Sequence, residues 1–253
     1  MTEQPARRDH GPLWRPPWPD LRSALAPLER TLCDQQEGVT DRALTVRSDD
    51  GSEQEMPVAF FFRAGAGLRA ADRAALALCT GRILDVGAAA GALALPLQEA
   101  GHEVTALELL PGAAAVMCAR GVRDVRVGDL WTFDAERPYD TVLALMNGTA
   151  TAGTLAGLVP LLTALSAPLA PQGQLLIDST DLRKLGRRVR RPDGRYVGEL
   201  QYQLEYAGEM GEPFPQLFVD PGRLAAAAAA AGLVAERVWQ GRGGEYLARV
   251  TRA

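Results

Sequence analysis

Five short apolar runs, spaced by helical stretches, fill the middle of the chain. They are RILDV (82–86), EVTALEL (103–109), VRDVRV (122–127), TVLALM (141–146) and GQLLIDS (173–179). Residues 90–100 read as a helix closed by Gly101. Pro111 suits the first position of a helix through Arg120, and residues 155–169 form a third helical stretch. Strands that alternate with helices at this spacing run parallel, because each crossover helix carries the chain back across a sheet face. The pattern therefore predicts an α/β fold with a doubly wound, Rossmann-like sheet. LVAERVW (233–239) and EYLARVTR (245–252) are two further strands, joined through Gly241–Gly244. They are expected to form an antiparallel edge hairpin, giving seven strands, mostly parallel. The charge-free stretch from Thr141 to Ile177 is long enough to span a membrane. Asn147-Gly148, Gly153, Pro160, Pro168, Pro171 and Gly173 cut it into pieces that suit buried strands and a core helix instead.

The flanks follow a different pattern. Residues 1–62 read as an N-terminal extension on a core of 63–253. WRPPWP is irregular, and Asp20 caps a helix running to about Gln36 with Leu21, Leu25, Leu28 and Leu32 on one side. ALTVRS and MPVAFFF read as the two strands of a hairpin turning at Asp50-Gly51, and a helix follows at about 68–79. After the fifth core strand, residues 183–220 read as a β insertion. In YVGELQYQLEY (196–206), Tyr196, Leu200, Tyr202, Leu204 and Tyr206 alternate with polar residues, the pattern of a half-buried strand. That stripe either roofs an acceptor pocket or covers the sheet.

Composition narrows the partners. A net charge of −4 over 253 residues argues against a general nucleic-acid binder. RKLGRRVRRPDGR (183–195) is nevertheless strongly basic, and leaves open an RNA-directed reading beside that of a solvated loop. Cys33, Cys79 and Cys118 are widely spaced, match no metal box, and predict neither a disulfide framework nor a metal site. MTEQPARRDHGP lacks the apolar core of a signal peptide, so a cytoplasmic location is expected.

A parallel sheet binds ligands at the carboxyl ends of its strands. The first core strand ends in LDVGAAAG (84–91), where small residues let the backbone approach a ligand closely. The dinucleotide fingerprint GxGxxG falls poorly on Gly87, Ala89 and Ala92, and no GxxxxGK[ST] is present. An acid followed by GxGxG fits better, on Asp85, Gly87, Ala89 and Gly91, with only the middle glycine replaced. This resembles the first motif of the class I S-adenosylmethionine (SAM)-dependent methyltransferases. Glu108 in VTALELLP matches that family's ribose-binding acid, with Leu109 beside it. Asp129 in RVGDLW matches an acid near the adenine, with Leu130 and Trp131 as ring neighbours; Asp129 also suits a helix cap. PYDTVLALMNG and LAPQGQLLID resemble the family's fourth and fifth strands. PVAFFFR, ALMNGT, LIDSTD and GEPFPQLFVD resemble a bacterial branch that implies no particular acceptor.

The resemblance implies SAM as cofactor, held by Arg63, Asp85, Gly87, Ala88, Ala89, Gly91, Glu108, Leu109, Asp129, Leu130 and Asn147. Arg63 either pairs with the cofactor's carboxylate or is a surface arginine. Asn147, Asp178 and Asp181 are the candidates facing the acceptor, each of which also suits a turn or loop start. His10 and His102 are the only histidines, and His102 opens the second core strand, far from the expected site. A histidine base is therefore not expected. The reading is a methyltransferase acting on a small-molecule acceptor. The alternatives are a SAM-binding protein without catalysis, motivated by Ala89, and an RNA methyltransferase using the basic run.

Overall fold

The computed structural model describes Pro16 and residues 20–39, 41–186 and 191–253. Most of WRPPWP, His10, Arg187, Arg188 and Arg190 lie outside the described residues. Helices α1 (Leu21–Ala24) and α2 (Ala26–Gln36) open the chain, and the Asp20 carboxylate accepts from the Arg22 N–H as a cap. The hairpin β1 (Ala43–Ser48) and β2 (Glu53–Pro57) follows, then α3 (Ala70–Leu78) and β3 (Arg82–Val86). Next come α4 (Ala94–Glu99), β4 (Glu103–Glu108), α5 (Pro111–Ala119), β5 (Asp124–Val127), β6 (Tyr139–Ala144), α6 (Leu158–Ser166) and β7 (Leu169–Thr180). The chain ends with β8 (Glu199–Tyr206), β9 (Glu209–Met210), β10 (Phe214–Leu217), α7 (Pro221–Ala230), β11 (Leu233–Gln240) and β12 (Glu245–Arg252).

The main sheet has seven strands in the order β11-β12-β7-β6-β3-β4-β5. Strands β7, β6, β3, β4 and β5 are parallel, and β12 joins β7 antiparallel with β11 outermost. The order reverses between β3 and β6, so the carboxyl ends of these two strands frame the crevice where such sheets take ligands. The sheet is apolar on both faces. Ile83, Leu84, Val142, Leu143, Leu175, Leu176 and Ile177 are all fully buried, as strands covered by helices on each side must be.

A second sheet, β10-β8-β1-β2 with β9 on β8, is antiparallel. Its centre is the pairing of β1 with β8, Thr45 opposite Glu205 and Val46 opposite Leu204. The N-terminal hairpin and the insertion after β7 thus make one structure from opposite ends of the sequence. Leu204, Tyr206 and Phe214 from this sheet share a core with Ala24, Leu32, Phe61, Leu110 and Val116. The Tyr/Leu stripe therefore packs as core.

Several boundaries differ from expectation. MPVAFFF is not one strand: β2 ends at Pro57, opposite Ala43, where β1 has no further residue to offer. Val58–Phe62 coils into a 3-10 helix, which turns Val58 and Phe61 into the core. Residues 90–93 precede the helix proper, because Gly91 sits at φ +76° and cannot be part of it. Strand β7 starts at Leu169 rather than 173, with a register shift opposite Tyr139–Thr141 that absorbs the Pro-Gln-Gly stretch. No helix among the described residues is long and apolar enough to cross a membrane.

Candidate active site

The chain leaves β3 through Gly87–Gly91, and its backbone is unusual there. Gly87, Ala89 and Gly91 all have positive φ (71°, 50° and 76°). Gly91 is irreplaceable on space as well: a Cβ there would lie 2.9 Å from Val122 Cγ2 and 3.3 Å from Met117 Cγ. Ala89 bears a Cβ in the left-handed region that glycine enters freely. Several bonds hold the loop, three of them to neighbouring elements at its start, middle and end. The Gly87 N–H donates to Leu107 O at 2.8 Å, the Ala89 N–H donates to Glu108 Oε2 at 2.8 Å, and the Arg120 guanidinium donates to Ala90 O. Arg120 also stacks over the Phe62 ring and donates to Phe62 O, so it ties the loop to the aromatic 3-10 helix.

Two buried carboxyl groups stand at adjacent strand ends. Glu108, closing β4, takes the Ala89 N–H on one oxygen and the Leu110 N–H on the other, at 2.8 and 3.0 Å. Burial raises its pKa, and these amides offset part of the rise. Asp85, in β3, is 3% exposed, and its Oδ2 has no hydrogen-bond partner. Burial, with Glu108 and Asp72 nearby, pushes Asp85 up to about 7, while Arg63 opposes the rise.

Asp85 lines a small cavity of about 30 Å³ together with Gly87, Ala88, Ala89, Phe61, Arg63 and Met146. Arg63 is not a surface arginine. It donates from Nε to Asp72 at 2.8 Å and from Nη1 to Phe60 O at 2.8 Å, with Met146 Sδ 3.4 Å from Nη1. Its Nη2 keeps no partner among the described residues. A larger cavity of about 650 Å³, lined by Thr80, Gly81, Asp140 and Gln174, lies at the opposite end of the strands, away from the loop and every candidate.

Asp72 organises the surroundings. It is fully buried in α3 and takes both Arg63 and Arg69. Burial pushes its carboxyl up, but the two arginines outweigh that and hold it below the usual range. Arg69 also reaches Asp178 at 3.1 Å, whose other oxygen accepts from the Gly148 N–H at 2.9 Å. Burial raises the Asp178 pKa, and Arg69 offsets part of this.

The acceptor-side candidates are held by their neighbours. Asn147 has left-handed backbone at φ 63°. Its amide donates to Leu217 O at 3.2 Å, and its oxygen accepts from Thr149 and Ser179 hydroxyls at 3.1 and 3.0 Å. Ser179 in turn accepts from the Val219 N–H at 3.0 Å. This cluster fastens the end of β6 to β7 and to the segment after β10. Asp181, the third candidate for the acceptor side, is engaged within its own turn. It caps the turn Leu182–Leu185, and Arg183 grips both its oxygens at 2.7 and 2.9 Å, holding its pKa below the usual range. Asp129 is a cap too, accepting from the Trp131 N–H at 3.0 Å; Leu130 is half-buried against the core and Leu109 half-buried beyond Glu108. His102 lies at the far end of the sheet, its ring 3.1 Å from Gly81 O. No cluster suited to a metal ion occurs among the described residues.

Sequence reasoning passed over Asp72, Arg69 and Arg120. Asp72 carried a legible signal: it is a charge between Ala71 and Ala75, on the buried face of a short helix.

A crystal structure of a SAM-dependent methyltransferase from Bacteroides fragilis, in complex with S-adenosyl-L-homocysteine, aligns over 91% of this chain and 96% of its own, at 37% identity and a TM-score of 0.82. This chain belongs to the SAM-dependent methyltransferases. CcbJ from Streptomyces caelestis (15% identity, TM-score 0.60, 72% of this chain and 89% of its own) and a methyltransferase from Clostridium acetobutylicum (11%, 0.56, 74% and 93%) share the fold. No protein-family model and no curated protein sequence matches the chain. Membership in the family makes SAM the cofactor of this methyltransferase.

Proposed function

We propose that this methyltransferase holds SAM over the β3 loop and transfers its methyl group to a small-molecule acceptor at the carboxyl ends of β6 and β7. The donor set of the cavity fits the amino-acid end of that cofactor. Asp85 Oδ2 is an unpaired buried acceptor suited to an ammonium, and Arg63 Nη2 is an unpaired donor suited to a carboxylate. Glu108 keeps spare lone pairs for ribose hydroxyls beside the two amides it already accepts. The cofactor, when bound, supplies a methyl group on a cationic sulfur.

The observation that carries the small-acceptor reading is the second sheet. β10 packs on the segment leaving β6, and Asn147 and Thr149 both bond Leu217 O. That side of the crevice is thereby flanked by β10, which favours a small acceptor over a broad polymer surface. The described arginines of the basic run also favour it. Arg183 pairs with Asp181 and Asp220, and Arg191 and Arg195 pair with Asp49 and Asp193, so their charge is met within the fold. With Asp178 and Asp181 both ion-paired, the chain acts by positioning. The acceptor brings a free lone pair, and in-line alignment lowers the barrier.

Calorimetric titration tests the cofactor site. SAM is expected to bind, a nicotinamide dinucleotide is not, and Glu108→Ala should weaken SAM at least about tenfold, one charge-assisted hydrogen-bond set. Transfer of label from methyl-labelled SAM into the small-molecule fraction of a cell extract supports the acceptor reading. Label appearing only in RNA overturns it.

A further inference from the structure

Among the described residues, Asp85 is the one buried carboxyl group at this crevice with an oxygen left over. Glu108 has an amide N–H on each oxygen; Asp72 has two arginines; Asp178 has Arg69 and the Gly148 N–H. Asp85 Oδ2 has none, yet the residue is buried and stands on the wall of the cavity. An ionised carboxylate in that position would be desolvated without compensation, and a buried charge without a partner takes or sheds a proton instead.

The groups facing it come from every neighbouring element. Glu108 on β4 and Asp72 on α3 are acidic, Cys79 after α3 is a buried thiol pushed up to about 12, and Arg63 is the one cation acting on it among the described residues. Arg63 is already committed through Nε to Asp72 at 2.8 Å. Glu108, with its two amide donors, is the better-supported anion of the neighbouring pair.

We infer that Asp85 carries a proton in the free protein and releases it when the cofactor's ammonium enters the cavity. Binding is thereby coupled to the loss of one proton, and Asp85 selects for ligands that bring a cationic amine. This rests on the cofactor site described above. The balance is simple: the O–H bond of Asp85 breaks, solvent takes the proton, and the carboxylate left behind pairs with the ligand's N–H groups. Burial pushes this carboxyl up to about 7, so coupling should be strongest in mildly acidic solution.

Calorimetry with S-adenosylhomocysteine, in buffers of different ionisation enthalpy, counts the protons. Below about pH 7 the ligand's own α-amine stays charged and adds nothing. Release should approach one proton at about pH 5.5 and fall to about half at pH 7, with affinity rising nearly tenfold per pH unit at the acid end. Asp85→Asn should abolish the coupling, and the deaminated ligand should bind with none. Binding with no proton released at pH 5.5, or release that persists in Asp85→Asn, overturns the inference. If the ligand does not bind at any pH, the cofactor site itself is wrong and the inference falls with it. A readout independent of ligand is the carboxyl carbon resonance of aspartates in the free protein. One should titrate near 7 and vanish in Asp85→Asn; all aspartates titrating below about 5 overturns the proposal.

Discussion

The Ala89 N–H donates to Glu108 Oε2 at 2.8 Å, which joins the loop after β3 to the end of β4. The bond fixes an alanine at φ 50°, where its Cβ strains the backbone by about 1–2 kcal/mol. Alanine thus replaces the glycine of the resembled motif while keeping the left-handed conformation that glycine favours. Ala89→Gly should relieve that strain and lose part of the gain to the freer unfolded chain, about 0.5–1 kcal/mol. We expect a small net rise in thermal stability and, with the methyl removed from the cavity wall, tighter SAM binding by calorimetry. Weaker binding would mean that the methyl group contributes to holding the cofactor.

Gly91 behaves in the opposite way. Gly91→Ala combines positive φ with a Cβ driven against Val122 and Met117. Strain and overpacking together should cost about 2–4 kcal/mol. Urea unfolding reads this directly. A loss below 1 kcal/mol would show that the loop shifts to make room.

How much of this was legible follows from the range of each interaction. The strand–helix alternation is local, so the main sheet, its edge hairpin, the Asp20 cap and the helix start at Pro111 could be read from neighbouring residues. Asp85, the glycines and Glu108 lie at strand ends, so fold class alone put them near one crevice. The second sheet was not legible, because β1 and β8 are paired across about 150 residues and neither strand announces its partner. The hold of Arg183 on Asp181 needed a rotamer, and the Arg63–Asp72–Arg69–Asp178 chain needed the packing of α3 against the sheet.

Asp72 is a buried carboxylate shared by two arginines. Asp72→Asn leaves Arg63 and Arg69 without their shared counter-ion in a buried setting, which should cost about 3–5 kcal/mol. It should also weaken SAM, since Arg63 loses its orientation. The pH sign agrees. The folded-state pKa of Asp72 is lowered, so its contribution is present above the unfolded value near 4 and is lost as pH falls through the folded one. Acid unfolding of the wild type should therefore steepen below about pH 4, and Asp72→Asn should lack that part of the slope.

The Asn147–Thr149–Ser179 cluster can be tested by a double-mutant cycle. Asn147→Ala and Ser179→Ala each leave buried partners unsatisfied, at about 1–3 kcal/mol apiece. Because the two side chains bond one another, their effects should fall short of additivity by at least about 0.5 kcal/mol. Full additivity would separate the two residues and leave β10 anchored by Leu217 O alone.

Asp85 gives the prediction of opposite pH sign. Its folded-state pKa is raised to about 7, so the folded protein keeps a proton that the unfolded chain loses near 4. The penalty is absent below about pH 4, grows as pH rises, and is complete above about 7, where it reaches on the order of 4 kcal/mol. Asp85→Asn keeps the shape and never ionises. It should match the wild type at pH 4 and exceed it in stability at pH 8 by several kcal/mol, while binding SAM less well. Chemical denaturation at the two pH values decides it. Equal stability at pH 8 would mean that Asp85 finds a partner once ionised. Higher stability with weaker cofactor binding would show that the chain keeps an unfavourable carboxyl for the ligand it receives.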